Sequence, residues 1–312
     1  MINTLSGSIP VESMGFTLMH EHLFCSDWAK RMCYPGYCNP DEAVKKISQV
    51  VIRAKTCGVD TIVDVTPINL GRDIKILTDV AKQTGMKIVA CTGLYATEDK
   101  WIERISEDGL LYLYLKDINE GMQGTEYKAG VIKCATDEPG FTNINQKMLR
   151  CAARAQRESG LPLITHCRPA GREYGLRQQE IFKQEGADLT KVVIGHFRKG
   201  DSLDYAEQVL HQGSYLGIDQ MNWQERNLEH NIEVIKQLIS RGWTSKLILS
   251  HDAVVCYNYE HWEFKNTDEY VDFAPNMLSY LKETAWSKML CAGIPETALD
   301  MIFYENPKRL FS

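Results

Sequence analysis

The sequence predicts a (β/α)8 barrel, or TIM barrel, and three features of the chain carry this prediction. Short apolar runs alternate with helical patterns eight times along the 312 residues. The connections between them are on the order of the 2–6 residues typical of such units. Chemically active side chains stand at the ends of five of the apolar runs. Because the carboxyl ends of barrel strands form the face that carries active sites, we expect a functional site there.

The predicted strands are short apolar runs bounded by turn-forming residues, as buried strands usually are. In chain order they cover residues 16–19, 61–65, 87–91, 130–134, 162–166, 192–196, 215–219 and 247–252. The active side chains close the first, fourth, fifth, sixth and eighth of these runs.

The predicted helices show apolar residues at helical spacing and have recognisable ends. Asp41 is the expected N-cap of the first helix, and Gly85 follows the second. In chain order the helices cover 43–57, 72–84, most of 98–120, 143–159, 173–184, 201–211, 228–240 and two further segments near the C-terminus. Residues 23–39 and 253–275 are predicted to be long loops.

A doubly wound open sheet also alternates strands and helices, but it seldom has eight repeats. Neither the GxGxxG motif nor the P-loop motif follows a strand, so nucleotide-binding folds lose their main signal. We see no repeat beyond the strand–helix unit, no low-complexity tract and no linker. Residues 1–312 are therefore predicted to form one domain.

The composition excludes several classes of protein. A net charge of −6 argues against a nucleic-acid binder, which usually has a basic excess. No apolar run approaches the roughly 18 residues that a membrane helix needs. The N-terminal segment shows no basic stretch followed by an apolar core, and ten cysteines without such a signal indicate reduced thiols. We expect a cytoplasmic protein that contacts neither nucleic acid nor membrane.

Metal-binding side chains recur at the predicted strand ends. His20 and His22 are two residues apart, so in a strand both imidazoles face the same way. His166 and His196 close two further strands, and Asp252 closes another. Imidazoles with a carboxylate and no forced thiolate suit zinc or a similar divalent ion. The sequence therefore predicts a metal centre on the rim of a barrel.

Lys133 also closes a buried strand, where a lysine is costly unless it is paired or neutral. A neutral amine could form a Schiff base, as in barrel aldolases. Alternatively it could take up carbon dioxide to give an anionic carbamate that bridges two ions. The four histidines favour the carbamate, because an aldolase does not need them. Between two ions about 3.5–4 Å apart, a bridging hydroxide becomes a nucleophile at neutral pH.

Six segments of the chain resemble the phosphotriesterase family of the amidohydrolase superfamily. They are GFTLMHEH ending at His22, KAGVIK ending at Lys133, ITH ending at His166, IGH ending at His196, SHD ending at Asp252, and ENPKRLF at 305–311. The resemblance covers nearly the whole chain. It implies a hydrolase with two divalent ions per chain, for which zinc is the expected metal, and a homodimer.

The resemblance also assigns roles to individual residues. It implies that His20, His22 and Asp252 hold one ion, that His166 and His196 hold the other, and that N6-carboxylated Lys133 bridges them. Asp252 would accept the proton of the attacking hydroxide and pass it to the leaving group. Glu21 and His251 face away from the ligands by strand alternation, so we expect them to support the site.

The substrate is indicated less directly. The segment ending at Tyr95 resembles that of phosphotriesterase-like lactonases, which implies that this tyrosine lies beside the metals and takes part in catalysis. Aryl phosphotriesterases carry an aspartate where this chain has Lys199 and a histidine where it has Gln220. Lactonases of the acyl-homoserine type usually carry arginine at the place of Gln220. The first two departures argue against the proton relay that serves phosphotriesters, and Gln220 also breaks the match to those lactonases. The leading prediction for the substrate is a lactone or a related carboxylic ester, with phosphotriesters as weak secondary substrates.

The loops after the fifth and sixth strands carry four cations, Arg168, Arg172, Arg198 and Lys199. They predict a subsite for a small anionic substrate with a carboxylate, phosphate or sulfonate, and Arg168 is the first choice of contact. The alternative is a solvated rim paired with Glu173 and Asp201. Gln220 and Trp223 are expected to line the mouth of the site, although aromatic loop residues more often just pack.

Three further functions compete with a lactonase or carboxylic-ester hydrolase. The same metal site would serve an amidase acting on an N-acyl anion. A barrel aldolase would use Lys133 as a Schiff base. A metal-binding protein without catalysis would need the ligands alone.

Overall fold

Eight parallel strands form the central sheet of the computed structural model, which describes residues 1–34, 36–221, 225–258 and 277–312. Four short strands, β1, β2, β4 and β12, lie outside this sheet. In chain order the strands are β1 Ile2–Thr4, β2 Gly7–Ile9, β3 Thr17–Glu21, β4 Cys25–Ser26, β5 Thr61–Asp64, β6 Lys87–Gly93, β7 Val131–Thr136, β8 Leu163–Cys167, β9 Val192–Ile194, β10 Tyr215–Ile218, β11 Leu247–Leu249 and β12 Tyr257–Asn258. The α-helices are α1 Trp28–Cys33, α2 Pro40–Thr56, α3 Ile74–Thr84, α4 Lys100–Arg104, α5 Glu107–Asn119, α6 Asn143–Ser159, α7 Tyr174–Gln184, α8 Leu203–His211, α9 Glu225–Ser240, α10 Trp286–Cys291, α11 Glu296–Asp300 and α12 Asn306–Phe311.

The central sheet runs in the order β3-β5-β6-β7-β8-β9-β10-β11, and helices follow its strands. Its two ends meet, because the backbone N–H of Asp252 donates to His20 O at 2.9 Å and the N–H of His22 donates to Ala253 O at 2.8 Å. The sheet is therefore a nearly closed barrel, and the predicted (β/α)8 class is confirmed. The assignment of residues 1–312 to one domain stays a prediction.

Alternation along the strands separates two apolar layers. Val63, Val131 and Ile164 belong to a cluster of buried side chains that fills the barrel interior. Their neighbours Ile62 and Ile132 belong to the larger cluster between the sheet and the helices. Because side chains alternate with a period of two, Lys133 and His166 point to the same side of the sheet as Val131 and Ile164, toward the barrel interior. Both stand near the carboxyl ends of their strands, the face of a barrel that carries active sites.

Several boundaries differ from the sequence prediction. The predicted loop 23–39 contains β4 and α1, and the Asp27 side chain caps α1 by accepting from Lys30 N. Helix α2 is capped by Asn39 rather than Asp41, because Pro40 occupies its first turn and Asn39 accepts from two backbone N–H groups. The β1–β2 hairpin was not predicted, since its strands have only three residues each.

Two global features complete the description of the fold. The ten cysteines are all free thiols. Within the part of the chain that the structure describes, no helix is both long and apolar enough to cross a membrane.

Candidate metal centre

The six predicted ligands meet at the carboxyl end of the barrel. All are buried: His20, His22, Lys133, His166, His196 and Asp252. The ligand atoms of His20, His22 and Asp252 lie within 4.8 Å of one another. His22 Nε2 is 3.4 Å and His20 Nε2 is 3.7 Å from Asp252 Oδ1. This trio matches the set that the resemblance assigns to one ion.

The other predicted ligands lie beside this trio. His196 Nε2 is 2.7 Å from His166 Nδ1, and Lys133 Nζ is 2.7 Å from His20 Nε2. The rings of His20 and His196, whose centroids are 4.8 Å apart, join the two groups of ligands. The structure therefore brings all six predicted side chains together.

Asp219, which ends the seventh predicted strand, orients two of the imidazoles. His196 Nδ1 donates to Asp219 Oδ1 at 2.8 Å, and the His196 backbone N–H donates to the same carboxylate. His20 Nδ1 lies 2.9 Å from Asp219 Oδ2, off the direction of a linear hydrogen bond. The ligand atoms of His20, His196 and Asp219 could also hold an ion by their spacing. Because Asp219 lies against the Nδ1 atoms of both imidazoles and leaves their Nε2 atoms free to face the centre, we assign it to orientation instead.

Sequence reasoning missed Asp219 as part of the site. The available signal was its position at a strand end, the same signal that marked the ligands. A small residue makes its position possible, because a Cβ on Gly195 would lie 2.9 Å from Asp219 Oδ2 and 2.3 Å from Thr165 O. Glycine at 195 thus lets the carboxylate approach His196.

Oxygen atoms also fix the other two imidazoles. His22 Nδ1 contacts Thr66 Oγ1 at 2.9 Å, and His166 Nε2 donates to Asp137 Oδ2 at 3.2 Å. Each of the four histidines thus has one nitrogen against an oxygen and the other turned toward the centre. These contacts define the tautomers, as outer partners do for metal-binding histidines.

This arrangement fits a divalent cation. With Nδ1 of His196 and Nε2 of His166 used as donors, their other nitrogens face each other at 2.7 Å as two lone pairs. Two buried lone pairs at this distance repel unless a proton or a cation shares them. Imidazole nitrogens and a carboxylate are ligands that zinc and similar divalent ions accept.

Electrostatics favour the protonation states that metal ligands need. Burial, with the nearby charge of Lys133, lowers the pKa of His20 to about 4. Burial likewise lowers the pKa of the Lys133 amine. Burial opposes the charge of Asp252, but His196 and the other histidines beside it outweigh this effect and hold its pKa well below the usual range. At neutral pH the centre contains a neutral His20 and an ionised Asp252.

The backbone at two predicted ligands adopts the left-handed conformation that few residues other than glycine adopt. His196 has φ 64° and Asp252 has φ 53°. Such conformations cost free energy and concentrate at functional sites. Strand β3 also shows a register shift between Leu18 and Glu21, so the ligand pair after Leu18 stands on an irregular strand end instead of the regular one that the spacing predicts.

Glu21 and His251 support the centre from behind, in keeping with the sequence prediction. Glu21 Oε1 accepts from Ser250 Oγ at 2.8 Å and from His251 Nδ1 at 2.9 Å, and Glu21 Oε2 accepts from Ala253 N. His251 Nε2 accepts from the backbone N–H of Leu281 at 3.1 Å. One buried carboxylate thus fixes the loop that carries Asp252.

Tyr95 reaches the centre as expected from the resemblance. Its hydroxyl lies 3.5 Å from His166 Nε2. The side chain of Asn69 accepts from Tyr95 N at 2.6 Å and donates to Tyr95 O at 3.1 Å, which fixes the backbone of this residue. Burial, together with nearby Asp137, raises the pKa of Tyr95, so the phenol is neutral.

The residues predicted to contact substrate separate into groups. Arg168 and Arg198 are half-buried, whereas Lys199 is exposed and the side chain of Arg172 is 63% exposed and 3.8 Å from Glu138. Gln220 is buried and donates from Nε2 to Asp252 Oδ2 at 2.8 Å. Trp223, predicted to line the mouth, lies outside the described residues.

A barrel whose rim gathers four imidazoles, a buried lysine and an ionised carboxylate defines the chain as a metal-dependent hydrolase. The phosphotriesterase family model matches residues 1–311. The chain belongs to the phosphotriesterase family, and the predicted resemblance is confirmed.

Relatives carry different names. The chain is 37% identical over 309 residues to the aryldialkylphosphatase of Saccharolobus solfataricus, covering 98% of this chain and 97% of that protein. It is 33% identical over 327 residues to the phosphotriesterase homology protein of Mycobacterium tuberculosis, covering 99% and 97%. It is 26% identical over 356 residues to the N-acetyltaurine hydrolase of Rattus norvegicus, covering 99% and 97%. These names span phosphoester and amide bonds, so they leave the substrate open.

Proposed function

We propose that this chain hydrolyses a lactone or a related carboxylic ester, with phosphotriesters as weak secondary substrates. The hydrogen bond from Gln220 Nε2 to Asp252 Oδ2 carries the proposal. An amide at this position cannot take up and release a proton as a histidine can. Asp252 must then deliver its proton directly to the leaving group, which suits the alkoxide that leaves an opened lactone or ester.

The proposed metal site follows the two clusters of ligands. His20, His22 and Asp252 would hold one divalent ion, His166 and His196 would hold the other, and carboxylated Lys133 would bridge them. Zinc is the proposed metal because imidazole and carboxylate ligands suit it. When bound, the two ions would lower the pKa of a water molecule and polarise the carbonyl oxygen of the substrate.

Lys133 is prepared for carboxylation by its surroundings. A neutral amine attacks carbon dioxide, an N–C bond forms, and the nitrogen loses a proton to give the anionic carbamate. Burial lowers the pKa of the Lys133 amine, which raises the fraction of the neutral form. The same lowered pKa would also serve a Schiff base, but a barrel aldolase does not need the four histidines beside Lys133.

Asp252 is the proposed general base. Its pKa is held well below the usual range, so the carboxylate is ionised and can accept a proton from the attacking water. Gln220 fixes one carboxylate oxygen, and His22 Nε2 lies 3.4 Å from the other. Tyr95, beside His166, is proposed to orient the substrate with its neutral hydroxyl.

An amidase acting on an N-acyl anion is the second candidate. Relatives named N-acetyltaurine hydrolase match 99% of this chain at 24–26% identity. An amide needs more help with its leaving group than an ester does, and Asp252 could protonate a leaving amine by the same path.

The test is a panel of lactones, carboxylic esters, N-acyl amino acids and phosphotriesters assayed with zinc-loaded enzyme. We expect kcat/KM to be highest for a lactone or ester and close to two ions per chain by elemental analysis. The highest kcat/KM for an N-acyl substrate would support the amidase instead. Borohydride trapping of a substrate carbonyl on Lys133 would support the aldolase, and no turnover of any substrate would support a binding protein.

Two general properties are also proposed. We propose a homodimer on the basis of the family resemblance, which size-exclusion chromatography with light scattering tests directly. We propose a cytoplasmic location, which rests on the cysteine usage of the sequence and which cell fractionation tests.

A further inference from the structure

We propose that Asp64 and Thr66 are positioning residues that hold His22 with its Nε2 lone pair turned toward the metal centre. They lie at the end of β5, the second strand of the barrel, which supplies none of the six proposed ligands. The proposal rests on the metal-dependent function proposed above. It assigns this strand end to the ion held by His22 and not to the ion held by His166 and His196.

Asp64 binds the chain just beyond His22. Strand β3 ends at Glu21, which pairs with Asp64. Leu23 lies beyond this ladder and is fully buried, so its backbone N–H needs an acceptor within the protein. Asp64 Oδ2 accepts from Leu23 N at 2.7 Å, and the carboxylate is itself fully buried. Because both groups would lose free energy without a partner, this bond fixes the backbone on one side of His22.

Two more bonds join this strand end to the neighbourhood of His22. The backbone N–H of Val65 donates to Glu21 O at 2.9 Å, which fixes the backbone on the other side of His22. The ring itself is held by Thr66, whose Oγ1 lies 2.9 Å from His22 Nδ1. Each of residues 64–66 thus binds one of residues 21–23. An imidazole held on both sides and at one nitrogen has little freedom to turn away from the centre.

The Thr66 hydroxyl is fixed by its own surroundings. Asp64 Oδ1 accepts from the backbone N–H of Thr66 at 3.0 Å, which forms a turn between a side chain and the backbone two residues on. Pro67 follows, and a residue before proline is restricted to extended backbone. Threonine also has few side-chain rotamers because it branches at Cβ. The hydroxyl is therefore in place before a metal binds.

The direction of the hydrogen bonds favours the tautomer that a metal ligand needs. His22 Nε2 lies 3.4 Å from Asp252 Oδ1 and faces the centre, so Nδ1 must carry the hydrogen if Nε2 is to bind an ion. Burial raises the pKa of Asp64, and a hydrogen bond from the Thr66 side chain is among the contacts that lower it. A hydroxyl that donates to the carboxylate presents its lone pairs to His22 Nδ1. Thr66 is thus the acceptor and His22 the donor.

The experiment compares three variants of this unit with a matched control. Thr66→Val removes the hydroxyl at nearly constant shape, Thr66→Ser keeps it, and Asp64→Asn keeps the shape of the carboxylate. The control is Thr92→Val. Thr92 is also buried, and it lies on the adjacent strand β6, where its hydroxyl donates to Asp117 Oδ2 of α5 at 2.9 Å. Loss of that bond removes a buried hydroxyl without removing a contact to a proposed ligand.

The first measurement is titration of each protein with zinc against a chelator of known affinity. Thr66→Val should weaken one of the two ions about tenfold to a hundredfold and leave the other nearly unchanged. Asp64→Asn should weaken the same ion, because its NH2 group has to face one of two backbone N–H groups. Thr66→Ser should recover most of the loss, and Thr92→Val should bind both ions like the wild type. Equal weakening of both ions, or the same loss in Thr92→Val, would overturn the proposal.

A second measurement needs neither bound metal nor turnover. Nitrogen NMR of the metal-free protein, labelled at histidine and held at mildly alkaline pH, reports which ring nitrogen carries the hydrogen. The His22 signals are assigned by their loss in His22→Gln. We expect the hydrogen on Nδ1 in the wild type, Thr66→Ser and Thr92→Val, and on Nε2 in Thr66→Val, where Asp252 is the remaining acceptor.

This second measurement separates the positioning role from the proposed function. A protein that hydrolyses none of the tested substrates would still show the shift of the hydrogen in Thr66→Val, which supports the positioning role alone. Conversely, a hydrogen on the same nitrogen in the wild type and in Thr66→Val would refute that role even if lactones are hydrolysed.

Discussion

Replacing Asp219 by asparagine should weaken metal binding although Asp219 is not a proposed ligand. The carboxylate is fully buried, accepts from His196 Nδ1 at 2.8 Å and lies 2.9 Å from His20 Nδ1. Burial opposes its charge, but His196 and His20 beside it hold its pKa well below the usual range. Asparagine keeps the shape, but its NH2 group would have to face one of the two Nδ1 atoms. That imidazole then has to adopt the other tautomer, which places a hydrogen where the metal needs a lone pair.

The expected loss of zinc affinity follows from the loss of one hydrogen-bond partner of a metal-binding histidine. Removing the outer partner of a metal-binding histidine typically costs tenfold to a hundredfold in affinity, or about 1.4–2.8 kcal/mol. Because the NH2 group can face only one of the two imidazoles, we expect the ion held by that histidine to bind more weakly by this factor. A buried donor without an acceptor should in addition lower the free energy of unfolding by about 1–3 kcal/mol.

The assay is zinc titration against a chelator of known affinity, with hydrolysis measured at limiting and at saturating zinc. The control is Asp204→Asn, which removes an exposed carboxylate from α8. We expect the Asp219 variant to regain much of its activity when zinc is raised, since its proposed ligands are intact. Equal zinc dissociation constants for the Asp219 and Asp204 variants would refute the orienting role.

Three further predictions concern single residues of the centre. Asp252→Asn should retain at least one ion yet lose about 100-fold or more in kcat, because an amide takes no proton at neutral pH; an unchanged kcat would remove Asp252 from the mechanism. Gly195→Ala should lower both zinc affinity and Tm, since its Cβ would press on Asp219 Oδ2 at 2.9 Å, and wild-type values of both would contradict this. In the metal-free protein, the His20 pKa of about 4 lies below its ordinary value of 6.5, so the unfolded chain binds the proton first. The free energy of unfolding should therefore fall by up to roughly 3 kcal/mol as the pH drops from 6.5 to 4. His20→Gln should make Tm depend less on pH in that range.

Local pattern was enough to predict the barrel and the proposed ligands. Short apolar runs predict strands from consecutive residues alone, without knowledge of their neighbours in space. Helical spacing of apolar residues likewise predicted α6 with the bounds that the structure shows. Lys133 and His166 stood out because each closes an apolar run that is expected to be buried. Burying a polar side chain costs free energy unless it has a partner, so such residues indicate a site. Eight consecutive strand–helix units are compatible with few folds other than this barrel, in which the parallel strands close into a ring and the helices cover its outer face.

The tertiary structure alone decided which side chains share partners. The link from Asp219 to His20 joins residues 199 positions apart, and no periodicity reports such a distance. The four cations looked alike in the sequence, but only folding buries Arg168 and Arg198 and leaves Arg172 and Lys199 in solvent. The register shift in β3 likewise depends on how the neighbouring strand pairs with it. Sequence determines which residues end each strand, because that is a property of consecutive residues, whereas distances between strand ends depend on the closure of the whole barrel.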